Sequence, residues 1–182
     1  MKSFFSFIFE VFKIVIIALV IVVPIRYFLF QPFLVMGQSM EPAFNSGDYL
    51  IVDQLSYRLQ DPQRGEVIVF RYPNMPSQRY IKRIIGLPGE IVQIEENKVR
   101  ISNMEGSQIL DEREYLLPGL LTQGNERWVL GSDEYFMMGD NRLFSSDSRR
   151  WGLLSKKGII GRVLLRIWPF PAFAKFEAPV YE

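Results

Sequence analysis

The chain has 182 residues, with 21 Lys and Arg against 20 Asp and Glu, and neither histidine nor cysteine. Without imidazole or thiol, the sequence excludes a Ser-His-Asp triad, a cysteine nucleophile, thiolate or imidazole metal sites, and disulfides. A hydrophobic content of 48% at this length fits one globular domain plus something unusually apolar.

The apolar excess lies at the N-terminus. Phe4 to Phe30 contains three charges, Glu10, Lys13 and Arg26. A helix crosses a bilayer with about 20 mostly apolar residues, and Phe4–Pro24 supplies them. Pro24 suits the exit end, where Arg26 and Tyr27 would reach the interface. A cleaved targeting peptide needs a small-x-small cleavage site, and residues 22–36 offer no small residue. Residues 1–30 are therefore expected to form a cytoplasmic N-terminus and a single permanent transmembrane anchor. Lys2 and Lys13 on one side against Arg26 on the other do not fix its orientation. Residues 31–182 then hold 18 basic and 19 acidic side chains with no basic block, which argues against nucleic acid as a partner.

Beyond the anchor, short apolar runs alternate with turn residues. Strands are expected at Tyr49–Val52, Glu66–Arg71, Arg79–Ile85, Ile91–Ile94, Lys98–Ile101, Trp128–Leu130, Glu134–Met138 and Ile159–Trp168. Asn45-Ser46-Gly47-Asp48, Arg64-Gly65, Tyr72-Pro73-Asn74, Leu87-Pro88-Gly89 and Glu96-Asn97 separate them. Regular spacing of this kind predicts an antiparallel all-β domain over 31–182. Leu55–Leu59 reads as a single helical turn. Residues 102–127 are polar and weakly patterned, which suggests an excursion or subdomain.

With histidine absent, a catalytic serine needs another base, and lysine is the well-attested one. A free lysine with a pKa of about 10.4 is almost wholly protonated at neutral pH. Burial among apolar groups disfavours the ammonium, and lowering the pKa to roughly 8 corresponds to about 3 kcal/mol between the two protonation states. Of the seven lysines, only Lys82 lies inside an apolar strand, Tyr80-Ile81-Lys82-Arg83-Ile84-Ile85. Alternation puts Tyr80, Lys82 and Ile84 on one face and Arg83 on the other. Position alone leaves two readings of Lys82: an inward-facing base, or an edge-strand side chain with its head in water.

Ser39 stands in Gly37-Gln38-Ser39-Met40-Glu41-Pro42 behind Phe33-Leu34-Val35-Met36. Gly37 permits close backbone approach and Pro42 stiffens the turn. This fits a nucleophile, but taken alone the segment reads more readily as an ordinary surface turn. A dense polar stretch runs from Gly139 to Gly152, with Asp140 and Asp147 against Arg142, Arg149 and Arg150. Charge-assisted hydrogen bonds can lock such a loop, so most of these residues position rather than react. The stretch lacks the glycine and terminal glutamate of a calcium loop, and no metal site is expected.

Taken in order behind the N-terminal apolar segment, these stretches resemble the bacterial type I signal peptidases, membrane-bound Ser/Lys endopeptidases. The resemblance rests on Gly37-Gln38-Ser39-Met40-Glu41-Pro42, Gly47-Asp48, Arg64-Gly65-Glu66-Val67, Tyr80-Ile81-Lys82-Arg83-Ile84-Ile85-Gly86-Leu87-Pro88-Gly89-Glu90 and Gly139-Asp140-Asn141-Arg142. Ser145, Asp147-Ser148-Arg149 and Trp151-Gly152 complete it. It implies that Ser39 is the nucleophile and Lys82 the general base. It further implies that Ser145 orients the lysine by a hydrogen bond, that Asp147 and Arg149 brace the loop, and that the Ser39 N–H serves the oxyanion. Some members place a second oxyanion hydroxyl two residues before the nucleophile; this chain has Gly37 there. Val35, Met36, Gly37, Met40, Phe44, Tyr80 and Ile81 would surround shallow pockets for small residues, and Ala43-Phe44 replaces the family's usual Thr-Leu.

The implied substrates are the signal peptides of exported pre-proteins, bound extended beside a strand edge. No cofactor is expected. The implied location is a single-pass protein of the cell membrane, its catalytic domain on the extracytoplasmic face, monomeric, with exposed apolar residues near Phe30–Phe33 seating it on the bilayer. Two alternatives stand beside this reading. One is a narrower relative dedicated to a single pilin or transfer protein. The other is an inactive tethered module that binds exported peptides, against which the intact set Ser39, Lys82, Ser145 and Asp147 argues.

Overall fold

A computed structural model describes residues 2–24, 30–179 and 181. The chain begins with a helix, α1, over Lys2–Pro24. Its Phe, Ile and Val side chains stand exposed wherever they are described, Phe9 at 68% and Ile14 and Val20 at 66%. The domain therefore does not cover this helix.

The membrane crossing expected over residues 1–30 falls on α1. Among the described residues, no helix is long and apolar enough to cross a membrane. Arg26 and Tyr27, expected at the interface, lie outside the described residues.

The rest is mainly antiparallel β-structure. The strands are β1 Phe30–Leu34, β2 Tyr49–Asp53, β3 Val67–Tyr72, β4 Met75–Gly86, β5 Ile91–Glu95, β6 Lys98–Asn103, β7 Gly106–Ile109, β8 Glu126–Val129, β9 Glu134–Met138, β10 Leu154–Ser155, β11 Ile159–Trp168 and β12 Ala174–Lys175. One sheet runs β1-β2-β11-β3-β4-β9-β10, with β12 also on β11; a second runs β7-β6-β5-β8. The eight strands expected from alternation and turn residues all form, Glu134–Met138 and Ile159–Trp168 with the expected ends and the others with an end shifted by up to four residues. A short 3₁₀ turn, Ser56–Arg58, lies inside the expected helical turn. Unforeseen were β1, β7 and the two-residue β10 and β12, which are too short or too polar to alternate visibly. Residues 102–127 extend the second sheet through β7 and β8.

The centre of the large sheet is buried on both faces, and for that reason Val67–Phe70 reads as a continuous apolar run. One face of β3 and β4, Val67, Val69 and Ile81, packs with Val35, Met40, Phe44, Leu50, Val52 and Val163. The other, Ile68, Phe70 and Ile84, packs with Tyr135, Met137 and Leu154. A third cluster joins the two sheets through Ile85, Val92, Ile94, Phe136 and Met138. Gly86 sits at that junction, where a Cβ would come within 2.4 Å of Val92 Cγ2.

Candidate active site

Two segments meet at the site, and the sheet determines where. Residues 35–48 form a closed loop between β1 and β2. The Val35 N–H donates to the Asp48 carbonyl at 2.9 Å, and the Gly47 N–H to the Val35 carbonyl at 3.0 Å. Met40 and Phe44, both essentially inaccessible, plug this loop into the core. Ser39 is left half-buried at its crest.

Lys82 comes from the middle of β4, opposite Ile68 of β3. Its side chain is carried inward by the alternation that buries Ile84. The Nζ lies 2.7 Å from Ser39 Oγ and donates to the Ile81 carbonyl at 2.8 Å. It also lies 5.6 Å from the centre of the Tyr80 ring. Lys82 as a whole is 3% exposed, so the edge-strand reading with its head in water does not describe it. Burial lowers its pKa from 10.5 to about 8, against the opposing carboxylates of Asp147 and Asp140. An amine at about 8 is neutral in roughly a tenth of molecules at pH 7. In the neutral form, the Ser39 O–H can donate to the Nζ lone pair while an N–H keeps the Ile81 carbonyl.

The stretch 139–152 closes the site from the third side. The Asn141 N–H donates to the Ser39 carbonyl and its Nδ2 to the Gln38 carbonyl, both at 3.1 Å. This holds the backbone of the turn that carries Ser39. Asp147 caps the short helix α2, Ser148–Trp151. It accepts from Arg149 Nε and Nη2 at 2.8 Å each and from the Gly139 N–H at 3.1 Å. Burial pushes its carboxyl up, but the Arg149 hydrogen bonds and charge outweigh this and hold it below the usual range. Gly139 is required by crowding: a Cβ there would lie 2.3 Å from Ser145 Oγ and 2.4 Å from the Ser39 carbonyl oxygen.

Ser145 is buried; its Oγ finds no partner of standard hydrogen-bond geometry among the described residues, but it lies near enough to the Asp147 carboxylate to help hold it ionised. The hydrogen bond expected from Ser145 to Lys82 is therefore not formed in this state, although the hydroxyl packs close to the Ser39 backbone. Among the seven residues expected around the substrate, Val35, Met40, Phe44 and Ile81 are buried together beneath the loop. Met36 at 82% and Gly37 are exposed, and Tyr80 is half-buried. The first four thus form a floor, and the last three reach the surface.

Several braces were not foreseen. Arg83, on the face of β4 away from Lys82, pairs with Asp140 through two hydrogen bonds of 2.8 and 2.6 Å and donates to the Gly65 carbonyl at 2.7 Å. Arg142 pairs with Glu112 at 2.8 and 2.5 Å, donates to Thr122 Oγ1, and reaches the Gly139 carbonyl at 3.1 Å. Residues of the 102–127 stretch thus support the site loop. Separations of 30 and 20 residues leave no local signal for such contacts.

Comparison with known proteins decides the relationship. The family described as signal peptidase, peptidase S26, matches residues 8–168. The chain belongs to the signal peptidase family, peptidase S26. It is 36% identical over 168 residues to signal peptidase I of Bacillus amyloliquefaciens, covering 90% of this chain and 89% of that protein. It is 34% identical over 167 residues to probable signal peptidase I-2 of Synechocystis, covering 89% and 74%. A solved signal peptidase I from Enterococcus faecalis V583 shares 27% identity at a TM-score of 0.48, covering 57% of this chain and 97% of that one.

Proposed function

We propose that the chain is a signal peptidase I, a serine endopeptidase that removes the signal peptides of exported pre-proteins. The observation that carries this is the 2.7 Å contact between Ser39 Oγ and the Nζ of a lysine only 3% exposed. Neutral Lys82 takes the hydroxyl proton as Ser39 Oγ bonds to the scissile carbonyl carbon. The resulting ammonium gives that proton to the leaving amine as the C–N bond breaks, leaving an acyl-serine. The lysine, again neutral, then activates a water that hydrolyses the ester. The Ser39 N–H supports the oxyanion. Gly37 brings no side-chain donor, so the second donor is a backbone amide or a water. Asp147 and Arg149 hold the loop, and Ser145 orients the lysine.

The substrate lies extended over Met36, Gly37 and Tyr80, with Val35, Met40, Phe44 and Ile81 setting the depth beneath. Residues 31–182 form the catalytic domain on the extracytoplasmic face, and residues 1–30 attach it to the cell membrane. Two features support the attachment: the helix over Lys2–Pro24, and the exposure of its apolar side chains, which the domain does not cover. Exposed Leu34, Met36, Tyr49, Trp168, Phe170 and Phe173 add an apolar rim near the nucleophile loop. Aromatic side chains of this kind favour the membrane interface, where a signal peptide presents its cleavage site.

The test is cleavage of a synthetic pre-protein in detergent. Ser39→Ala and Lys82→Met should each abolish turnover while circular dichroism stays native. Turnover retained by either variant contradicts the dyad.

A further inference from the structure

The nucleophile loop is held at one end by Asn141 and at the other by residues with no part in the mechanism above. Arg166 of β11 reaches across to residues 43–48. Its Nη1 donates to the Ala43 carbonyl and to Asp48 Oδ2, each at 3.0 Å, and its Nε donates to the Ala172 carbonyl at 2.6 Å. The Asp48 carboxylate, itself buried, accepts the Asn45 N–H at 3.0 Å through the same oxygen. The guanidinium lies 5.4 Å from the centre of the Phe176 ring. That ring in turn packs on Phe44, with centroids 4.3 Å apart.

Phe176 is held in place by the chain that follows β11. Ala174 and Lys175 pair with Arg166 and Leu165, and the Phe176 N–H donates to the Leu164 carbonyl at 3.0 Å. Beyond it, Pro179 lies against Gly65, where a Cβ would come within 2.6 Å of its ring. The tail is thus laid along the domain and presses one ring onto the residue that plugs the nucleophile loop.

We infer that Arg166 and Phe176 are positioning residues for the acyl-transfer reaction, holding the far side of the loop so that Ser39 Oγ stays within reach of Lys82. The inference rests on the reading of Ser39 as the nucleophile. Its physical basis is a division of labour. Asn141 fixes the carbonyl of Ser39, while the Phe44 plug and the Ala43 carbonyl, four or five residues on, have Phe176 and Arg166 as their clamp. A loop pinned at only one end can tilt, and a displacement of about 1 Å at a reacting atom costs on the order of a hundredfold in rate.

The experiment measures kcat and KM on a synthetic pre-protein with the full chain in detergent, beside melting temperature and circular dichroism. The variants are Phe176→Ala, Phe176→Leu and Arg166→Lys, with Ser39→Ala as control. Phe176→Ala should lower kcat about tenfold to a hundredfold per folded molecule with KM within about twofold, and Phe176→Leu should restore most of it. Arg166→Lys, which loses the planar fork, should lower kcat about tenfold or more. Should Phe176→Ala fail to fold, Arg166→Lys decides: unchanged kcat in that variant overturns the inference. It is also overturned by wild-type kcat in Phe176→Ala, or by a loss confined to KM. Activity retained in Ser39→Ala would instead sink the proposed function, so the two failures are distinguishable.

Discussion

Lys82 carries opposite consequences for catalysis and for stability, both set by its burial. Its pKa in the fold, about 8, lies below the 10.5 of a free side chain. Below about 8, folded and unfolded chains both hold the proton, and the fold bears the burden of a buried ammonium. Between about 8 and 10.5 the unfolded chain binds more protons, so stability rises with pH across that window. Catalysis needs the unprotonated amine, so kcat/KM should climb about tenfold per pH unit from 6 toward 8 and then level off. A flat profile over that range would contradict a lysine base. Lys82→Met replaces the buried amine by an apolar side chain of similar length. At pH 7 it should abolish turnover yet stabilise the fold by about 1–2 kcal/mol, raising the melting temperature by a few degrees. A lower melting temperature would mean that the contacts to Ser39 and Ile81 outweigh the burial of the charge.

At the level of elements, the site is a junction of a loop, a strand and a braced turn, and the braces make their own predictions. Arg142 has no exposed side-chain surface, and its partner Glu112 is only 10% exposed. Glu112→Ala leaves a buried guanidinium without its carboxylate and should cost about 3 kcal/mol or more, read as a shift in the denaturant midpoint. A loss under about 1 kcal/mol would mean the pair is relaxed by water. Gly139→Ala drives a methyl into the Ser39 carbonyl and Ser145. It should cut turnover severely even at temperatures where the protein remains folded; wild-type turnover would show that the turn can retreat. Much of this level was legible in sequence. Alternation put Lys82 and Arg83 on opposite faces of their strand but left the burial of Lys82 open, and the turn residues separated the eight strands correctly. What could not be read was long-range: the bonds of Arg142 to Glu112 and Thr122, the lock of Asn141 on Ser39, and the clamp of Arg166 and Phe176 on residues 43–48. Each joins residues brought together only by sheet pairing, so no local period or spacing marks them. Met40 and Phe44, expected around the substrate, are buried in the core beneath the loop that carries Ser39.

For the whole molecule, the arrangement couples a β-domain to an apolar helix that it does not cover, with an apolar rim beside the nucleophile loop. The rim should matter only where a membrane is present. Phe170→Ser with Phe173→Ser should leave cleavage of a soluble peptide in detergent within about twofold. The same pair should slow cleavage of a pre-protein embedded in vesicles severalfold, since it removes apolar area from the interface. Equal rates in both settings would assign these side chains to something other than bilayer contact. The tail from Ala174 to Pro179 belongs to this level too, since it ties the last strand to the loop that carries Ser39.

The most direct test of the account is to titrate the Lys82 amine itself, by following the side-chain nitrogen resonance in the full chain carrying Ser39→Ala against pH. The account predicts a midpoint near 8, well below the ordinary value of a free lysine side chain, about 10.4. A Lys82 midpoint at that ordinary value would contradict it, because an amine so basic could not serve as the base for Ser39 at neutral pH.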